Sequence, residues 1–179
     1  MIHKNYKAFL LFLLAITPTP VLADNFSASS HYEVCFTPPN HCATLMIREI
    51  DHAKREILMQ AYHITDTSIV DAIVRAKKRG VDVKVLLDKS QINSEYTARH
   101  VLERNGIKVL IDNKPAIAHN KIIIIDGLTV LGGSYNHTNN AAKRNAENMT
   151  IIKDHGFARK YVNNWHVRET ASTSASRLK

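Results

Sequence analysis

His119-Asn120-Lys121-Ile122-Ile123-Ile124-Ile125-Asp126-Gly127-Leu128-Thr129-Val130-Leu131-Gly132-Gly133-Ser134-Tyr135-Asn136 is the stretch on which the fold turns. Its isoleucine run reads as a buried strand, and Asp126-Gly127 between two apolar runs predicts a type I′ hairpin turn of two residues. A strand sends alternate side chains to one face, so His119 and Lys121 point the same way. If Ile125 pairs with Leu128, His119 falls opposite Ser134 and Lys121 opposite Gly132, with Asn136 one step further on that face. The glycines beside Lys121 then leave open space against the backbone, although Gly132-Gly133 is also a place for a bulge that would shift the register by one residue.

Outward from this hairpin, strand and helix signals alternate. Strands are expected over 31–36, 57–63, 81–87, 108–111, 121–125, from 128 onward and over 149–153. Helices are expected over 42–54, from an Asp66 or Thr67 cap through Lys78 to a stop at Gly80, over 94–104 and over about 156–168. This pattern predicts an α/β fold, a layered mixed sheet flanked by helices on both faces, in one domain spanning 24–168. Residues 169–179, rich in Ser and Thr, read as a disordered tail. No internal repeat is visible.

The first 23 residues read as a secretory signal peptide: Lys4 and Lys7 form a basic n-region, Ala8 to Ile16 an apolar h-region, and Val21-Leu22-Ala23 a small-residue cleavage site. The apolar run falls short of the roughly 20 residues of a membrane span, so a stable transmembrane anchor is not expected. The chain is then an exported one, periplasmic or secreted. Lys4 and Lys7 are the only formal charges in the leader, so its removal lowers the net charge from +8 to +6. A basic balance suits a polyanionic partner, nucleic acid or an anionic lipid surface, and speaks to steering rather than specificity. Lys77-Lys78-Arg79 and Lys143-Arg144 are solvated faces taken alone, and either could line a phosphate-backbone groove.

Cys35 and Cys42 are the only cysteines. In an exported chain they are disulfide candidates that would tie the end of the first strand to the start of the first helix, the alternative being two free buried thiols. Neither they nor His41 give a zinc-ligand spacing, and no metal or cofactor is expected.

H-x-K-x4-D at His119, Lys121 and Asp126, followed by Ser134, Asn136 and Glu147, places an imidazole and a fixed cation at one surface, with a hydroxyl, an amide and a carboxylate downstream. This constellation resembles the phospholipase D superfamily, the HKD phosphodiesterases. Cys35-Phe36-Thr37-Pro38, Gln60-Ala61-Tyr62, Ala76 to Val83 and Trp165 look like its small bacterial endonuclease branch, and the likeness covers nearly the whole chain after the leader.

The resemblance implies a metal-independent phosphodiesterase acting through a phosphohistidine. His119 would be nucleophile or general acid, and Lys121 the charge on the phosphoryl oxygens. Ser134 and Asn136 would bind those oxygens, and Glu147 would orient His119. Asp126 belongs to the motif, yet Asp before Gly in a turn is what backbone geometry selects, so a structural role is expected. His31, His41, His63, His100, His137, His155 and His166 lack such neighbours, and packing or surface exposure is the default for each.

Larger members carry two such motifs. Here His52-Ala53-Lys54 is the only other H-x-K, and it falls on a predicted helix with Met59 where the aspartate should be. A homodimer with a shared active site is therefore expected, the two His119 facing across a two-fold axis. The leading reading is a nonspecific endonuclease on DNA or RNA. The alternative is a phospholipase D hydrolysing phosphatidyl headgroups, of which the Cys-Phe-Thr-Pro start is also suggestive. A binding module with a dead site is disfavoured, because every catalytic position is filled.

Overall fold

A computed structural model describes residues 24–95 and 97–178; the signal peptide expected over 1–23 lies outside them. Seven strands form one mixed sheet: β1 (His31–Thr37), β2 (Glu56–Ala61), β3 (Asp82–Asp88), β4 (Lys108–Asp112), β5 (Lys121–Ile125), β6 (Thr129–Gly133) and β7 (Glu147–Lys153). Their spatial order is β1-β7-β6-β5-β2-β3-β4. β2, β3 and β4 run parallel, and every other neighbouring pair is antiparallel. The helices are α1 (Cys42–His52), α2 (Thr67–Lys78), α3 (Arg99–Arg104), α4 (Asn139–Lys143) and α5 (His155–Ala171). Among the described residues, none is long and apolar enough to cross a membrane.

The central strands are apolar on both sides because both faces are covered. Ile57, Met59, Val83, Val85, Ile123 and Ile125 point into the larger core, where α1 and α2 supply Met46, Ile50, Ile69 and Ile73. Leu58, Leu86, Ile124 and Val130 point the other way, against Ala158 and Trp165 of α5. The Trp165 indole donates to the Met59 carbonyl oxygen at 3.1 Å, which satisfies its one polar atom inside an apolar layer.

Local signals set the helix ends. Asp66 caps α2, its carboxylate accepting from the Ser68 amide at 2.9 Å, and Gly80 at φ +92° takes the left-handed turn that stops it. Asp154 caps α5 through the Phe157 amide at 2.7 Å and also accepts from the Ser30 hydroxyl, fastening the segment before β1. Cys35 and Cys42 are joined in a disulfide, Cα to Cα 5.7 Å, tying β1 to the first residue of α1.

Three expectations are corrected. Leu128 donates to the Ile125 carbonyl oxygen as a two-residue turn requires, and Asp126 and Gly127 both have positive φ, but the ladder begins at Ile125 with Thr129. Leu128 is thus an extra residue, and every cross-strand partner beyond it moves by one. The helix expected over 94–104 is α3 alone, from Arg99, because Ser94, Glu95 and Thr97 supply no apolar stripe to hold an earlier turn. The disordered tail from 169 is also overturned: α5 runs to Ala171, Thr173 exchanges backbone hydrogen bonds with Ile111, and Ala175 is buried. Backbone pairing along the edge strand β4 holds that segment, and hydrophobic patterning cannot register such pairing.

Candidate active site

The functional side chains gather along one edge of the sheet. The carboxyl ends of β2, β3 and β6 lie there beside the amino ends of β5 and β7, the edge at which open α/β sheets place their ligand crevices. Lys121 pairs with Ala61, the last residue of β2, and Glu147 with Thr37, the last residue of β1.

His119 precedes β5 and is pinned on both sides by backbone contacts. The Asp88 carboxylate, at the end of β3, accepts from the Ala118 amide at 2.7 Å, and the Tyr62 amide donates to the Asn120 carbonyl oxygen at 3.0 Å. The imidazole is exposed and rests against the Tyr62 ring at 4.6 Å between centroids. Tyr62 also stacks on His63 at 4.1 Å and carries the Lys121 ammonium 5.2 Å above its ring centre.

Lys121 is buried, 7% exposed, and its ammonium donates to the His119 carbonyl oxygen at 2.8 Å. Burial lowers its pKa, and the nearby Glu147 carboxylate opposes that shift. The result is a cation held by the protein rather than by water, suited to an anionic oxygen.

Gly132 faces Ile122, whose methyl would meet an added Cβ at 2.8 Å, so Gly132 does not lie beside Lys121 as expected. The one-residue shift brings Gly133 level with Lys121. The expected open space beside the lysine is not there, because the room at each glycine is taken by a close neighbour, Ile122 at Gly132 and the Asn148 backbone at Gly133. At Gly133, φ is +150° and a Cβ would stand 2.4 Å from the Asn148 carbonyl oxygen. The amides of Ser134 and Tyr135 both donate to that oxygen, a β-bulge that re-aims the chain.

After the bulge, the Ser134 hydroxyl donates to the Glu147 carboxylate at 2.6 Å, and the other carboxylate oxygen accepts from the Asn145 amide at 2.9 Å. Within the chain, Glu147 is thus engaged with Ser134 and Asn145. Asn136 lines a cleft with His63, and its Oδ1 is buried without a partner. His119, Lys121, Ser134, Asn136 and Glu147 therefore share one edge.

Asp126 does not. It sits at the far end of β5, where its carboxylate accepts from the amides of Lys54, Arg55 and Glu56 at 2.8 to 2.9 Å. Those bonds hold its pKa below the ordinary carboxylate value against the opposing effect of burial. This is a clamp between the hairpin turn and the start of β2, the structural role that Asp before Gly suggested.

Two histidines with packing as their default stand at the site instead. His63 is half-buried, and its pKa is lowered by burial first, then by Lys121 and His119, with Asp88 opposing. His137 is fully buried and its pKa is pushed down to about 4 by burial, with Lys121 adding to the effect. Its carbonyl oxygen accepts from the Thr65 and Asp66 amides, anchoring the loop that carries His63. The sequence signal that could have found His63 is its place just past the end of β2, beside Tyr62.

Residues 46–166 match the family model described as cardiolipin synthase, PLD-like domain. The chain is 44% identical over 172 residues to a phospholipase D of Rickettsia bellii, covering 93% of this chain and 86% of that protein. It is 43% identical over 161 residues to a phospholipase D of Rickettsia conorii, covering 89% and 80%. Among solved structures, Nuc of Salmonella typhimurium, a phospholipase D family member, superposes with a TM-score of 0.76 at 33% identity over 80% of this chain and 96% of that one. NucT from Helicobacter pylori shares the fold, with a TM-score of 0.75 at 22% identity over 81% and 99%. On the matched domain and these relatives, with His119 and Lys121 set side by side on one sheet edge, the chain belongs to the phospholipase D superfamily and is a phosphodiester hydrolase.

Proposed function

We propose that the protein is an exported, metal-independent endonuclease of low sequence specificity, acting as a two-fold dimer. The observation that carries the nucleic-acid reading is the cleft beside Asn136, whose wall is made of uncharged polar side chains such as His63, Gln91, Asn139, Asn140 and Asn145. Among the described residues no large apolar one lines it, and its polar side chains offer a sugar and base many partners. The basic balance of the chain, +8 formally, suits a polyanion. The Cys35–Cys42 bridge fits an oxidising compartment outside the cytoplasm.

In the proposed reaction, a neutral ring nitrogen of His119 attacks phosphorus, the bond to the leaving oxygen breaks, and a phosphohistidine forms. His119 of the second copy gives its proton to the leaving oxygen. That imidazole then removes a proton from water, whose oxygen attacks the phosphohistidine and frees the first histidine. Lys121 and Asn136 hold the phosphoryl oxygens, Ser134 and Glu147 form a bonded pair beside them, and in this reading Glu147 orients an imidazole.

A second reading, hydrolysis of phosphatidyl headgroups, is favoured by one observation: the Rickettsia relatives above 40% identity are named phospholipase D. Purified protein in EDTA, given plasmid DNA and separately phosphatidylcholine vesicles, decides between them. Nicking and linearisation of the plasmid with intact lipid supports the nuclease; choline release with intact plasmid supports the lipase and removes the nuclease reading.

A further inference from the structure

We propose that the cleft between the β2–α2 loop, the turn after β3 and α4 is a subsite for an unpaired nucleobase and its sugar flanking the scissile phosphate; this rests on the nuclease reading. The cavity is about 590 Å³. That lies within the roughly 300 to 1,000 Å³ of pockets that take compact organic ligands. His63 enters it from the loop after β2, Gln91 from the turn after β3, and Asn136, Asn139, Asn140 and Asn145 from around α4.

The division of charge places the substrate's parts. Lys121 supplies the cation for the phosphate, while among the described residues no charged side chain lines the cleft next to it. A second phosphate would find no counter-charge there, but a neutral group rich in donors and acceptors would be matched on several sides. Amide side chains offer an acceptor and donors in one plane, which is how base edges are read.

Two members of the wall are unfinished. Gln91 is 1% exposed, and its Oε1 is buried with no hydrogen-bond partner; the Oδ1 of Asn136 is in the same state. Buried acceptors in folded proteins are nearly always satisfied. A donor brought by the ligand, an exocyclic amine, a ring N–H or a sugar hydroxyl, is what both lack. Pairing in a duplex uses the ring N–H and one hydrogen of each exocyclic amine and holds the base in the stack, so the subsite favours single-stranded nucleic acid.

Position relative to the nucleophile agrees. His63 and His119 both pack on the Tyr62 ring, at 4.1 and 4.6 Å between centroids, so the cleft that His63 lines adjoins the attacking imidazole. Burial keeps the His63 ring neutral near neutral pH, and it presents a flat aromatic surface rather than a rival charge.

The test uses single-stranded oligonucleotides of identical length in which one nucleoside is replaced by an abasic sugar, leaving the phosphate charge untouched. Wild type should cut the phosphate flanking the intact base roughly tenfold faster than the one flanking the abasic sugar, the scale of one base's stacking and hydrogen bonds. His63→Ala and Asn140→Ala should collapse that ratio toward one. Asn140 is exposed, so its variant keeps a reading if His63→Ala fails to fold. Equal cutting by wild type, or variants that keep the ratio, overturns the subsite while leaving the nuclease standing. Protein that releases choline from phosphatidylcholine and cuts no oligonucleotide overturns both.

Discussion

The Lys121 ammonium donates to the carbonyl oxygen of His119, 2.8 Å away, so the cation of the site also fixes the backbone that presents the neighbouring imidazole. In the proposed mechanism one side chain thus positions the imidazole and meets the phosphate. Lys121→Ala should lower kcat by at least ~100-fold, as expected when one transition-state electrostatic donor is removed. Because burial lowers the pKa of this lysine, kcat should decline with rising pH at a lower pH than an exposed lysine would titrate. Steady-state rates across neutral and alkaline pH check both; a variant within a few-fold of wild type would show that Lys121 is structural only.

Asp126 should behave in the opposite manner. Asp126→Ala leaves three amides of the 54–56 segment without their acceptor and should cost roughly 2 kcal/mol of stability, with activity per folded molecule largely kept. The folded-state pKa is lowered, so this stabilisation is present above the ordinary aspartate pKa and is lost as pH falls through the folded value. The urea midpoints of wild type and variant should therefore differ near neutrality and converge in acid. A gap that stays constant with pH would count against the ionised clamp.

How much of this could be read in the chain depends on which force sets each feature. β5 emerges from its isoleucine run residue for residue, because burial on both faces leaves strand as the only reading. The hairpin register misses by one, since whether Leu128 is turn or ladder depends on tertiary pairing. α4 escapes detection, as five residues of Asn, Ala and Lys carry no periodicity and are held by Thr138, whose hydroxyl accepts from the Ala141 amide. At the site, motif residues were legible by type and spacing. Asp88 and His63 were not, because they stand at or just past the ends of strands that only the sheet order β5-β2-β3 brings to the edge His119 occupies.

The Cys35–Cys42 bridge closes a short loop between β1 and α1. Replacing both cysteines by alanine should lower stability by ~2 kcal/mol, the loop-entropy scale for so short a ring. Thermal unfolding of wild type with and without reductant should reproduce the same drop, and a double variant that no longer responds to reductant completes the check. No change on reduction would mean that the loop is held by its packing alone.

Hydrolysis should persist in excess chelator. In the proposed mechanism His119 supplies the nucleophile and Lys121 the electrophilic stabilisation, two roles a metal ion fills in other phosphodiesterases. His119→Ala should abolish turnover while leaving the fold, because its ring is exposed and rests against Tyr62 rather than in the core. Activity that vanishes in EDTA and returns with a divalent ion would sink this chemistry; circular dichroism separates a dead variant from an unfolded one.

The final prediction concerns assembly, and it follows from one motif serving a reaction that uses two histidines. Within the chain, His63 packs on the same Tyr62 ring as His119 and is the candidate for the second role. If His119 of a second copy supplies the acid, the protein is a two-fold dimer with both copies of His119, Lys121 and Asn136 around one phosphate. Mixing decides the matter. When His119→Ala is co-refolded with excess wild type, nearly every mutant chain pairs with a wild-type chain, and each hybrid site holds a single His119. Activity per wild-type chain should then fall as mutant is added, since either the nucleophile or the leaving-group acid is missing. Sedimentation as an active monomer, or wild-type activity indifferent to added mutant, would place the second proton-transfer group within the chain. His63→Gln would then be the variant that loses turnover.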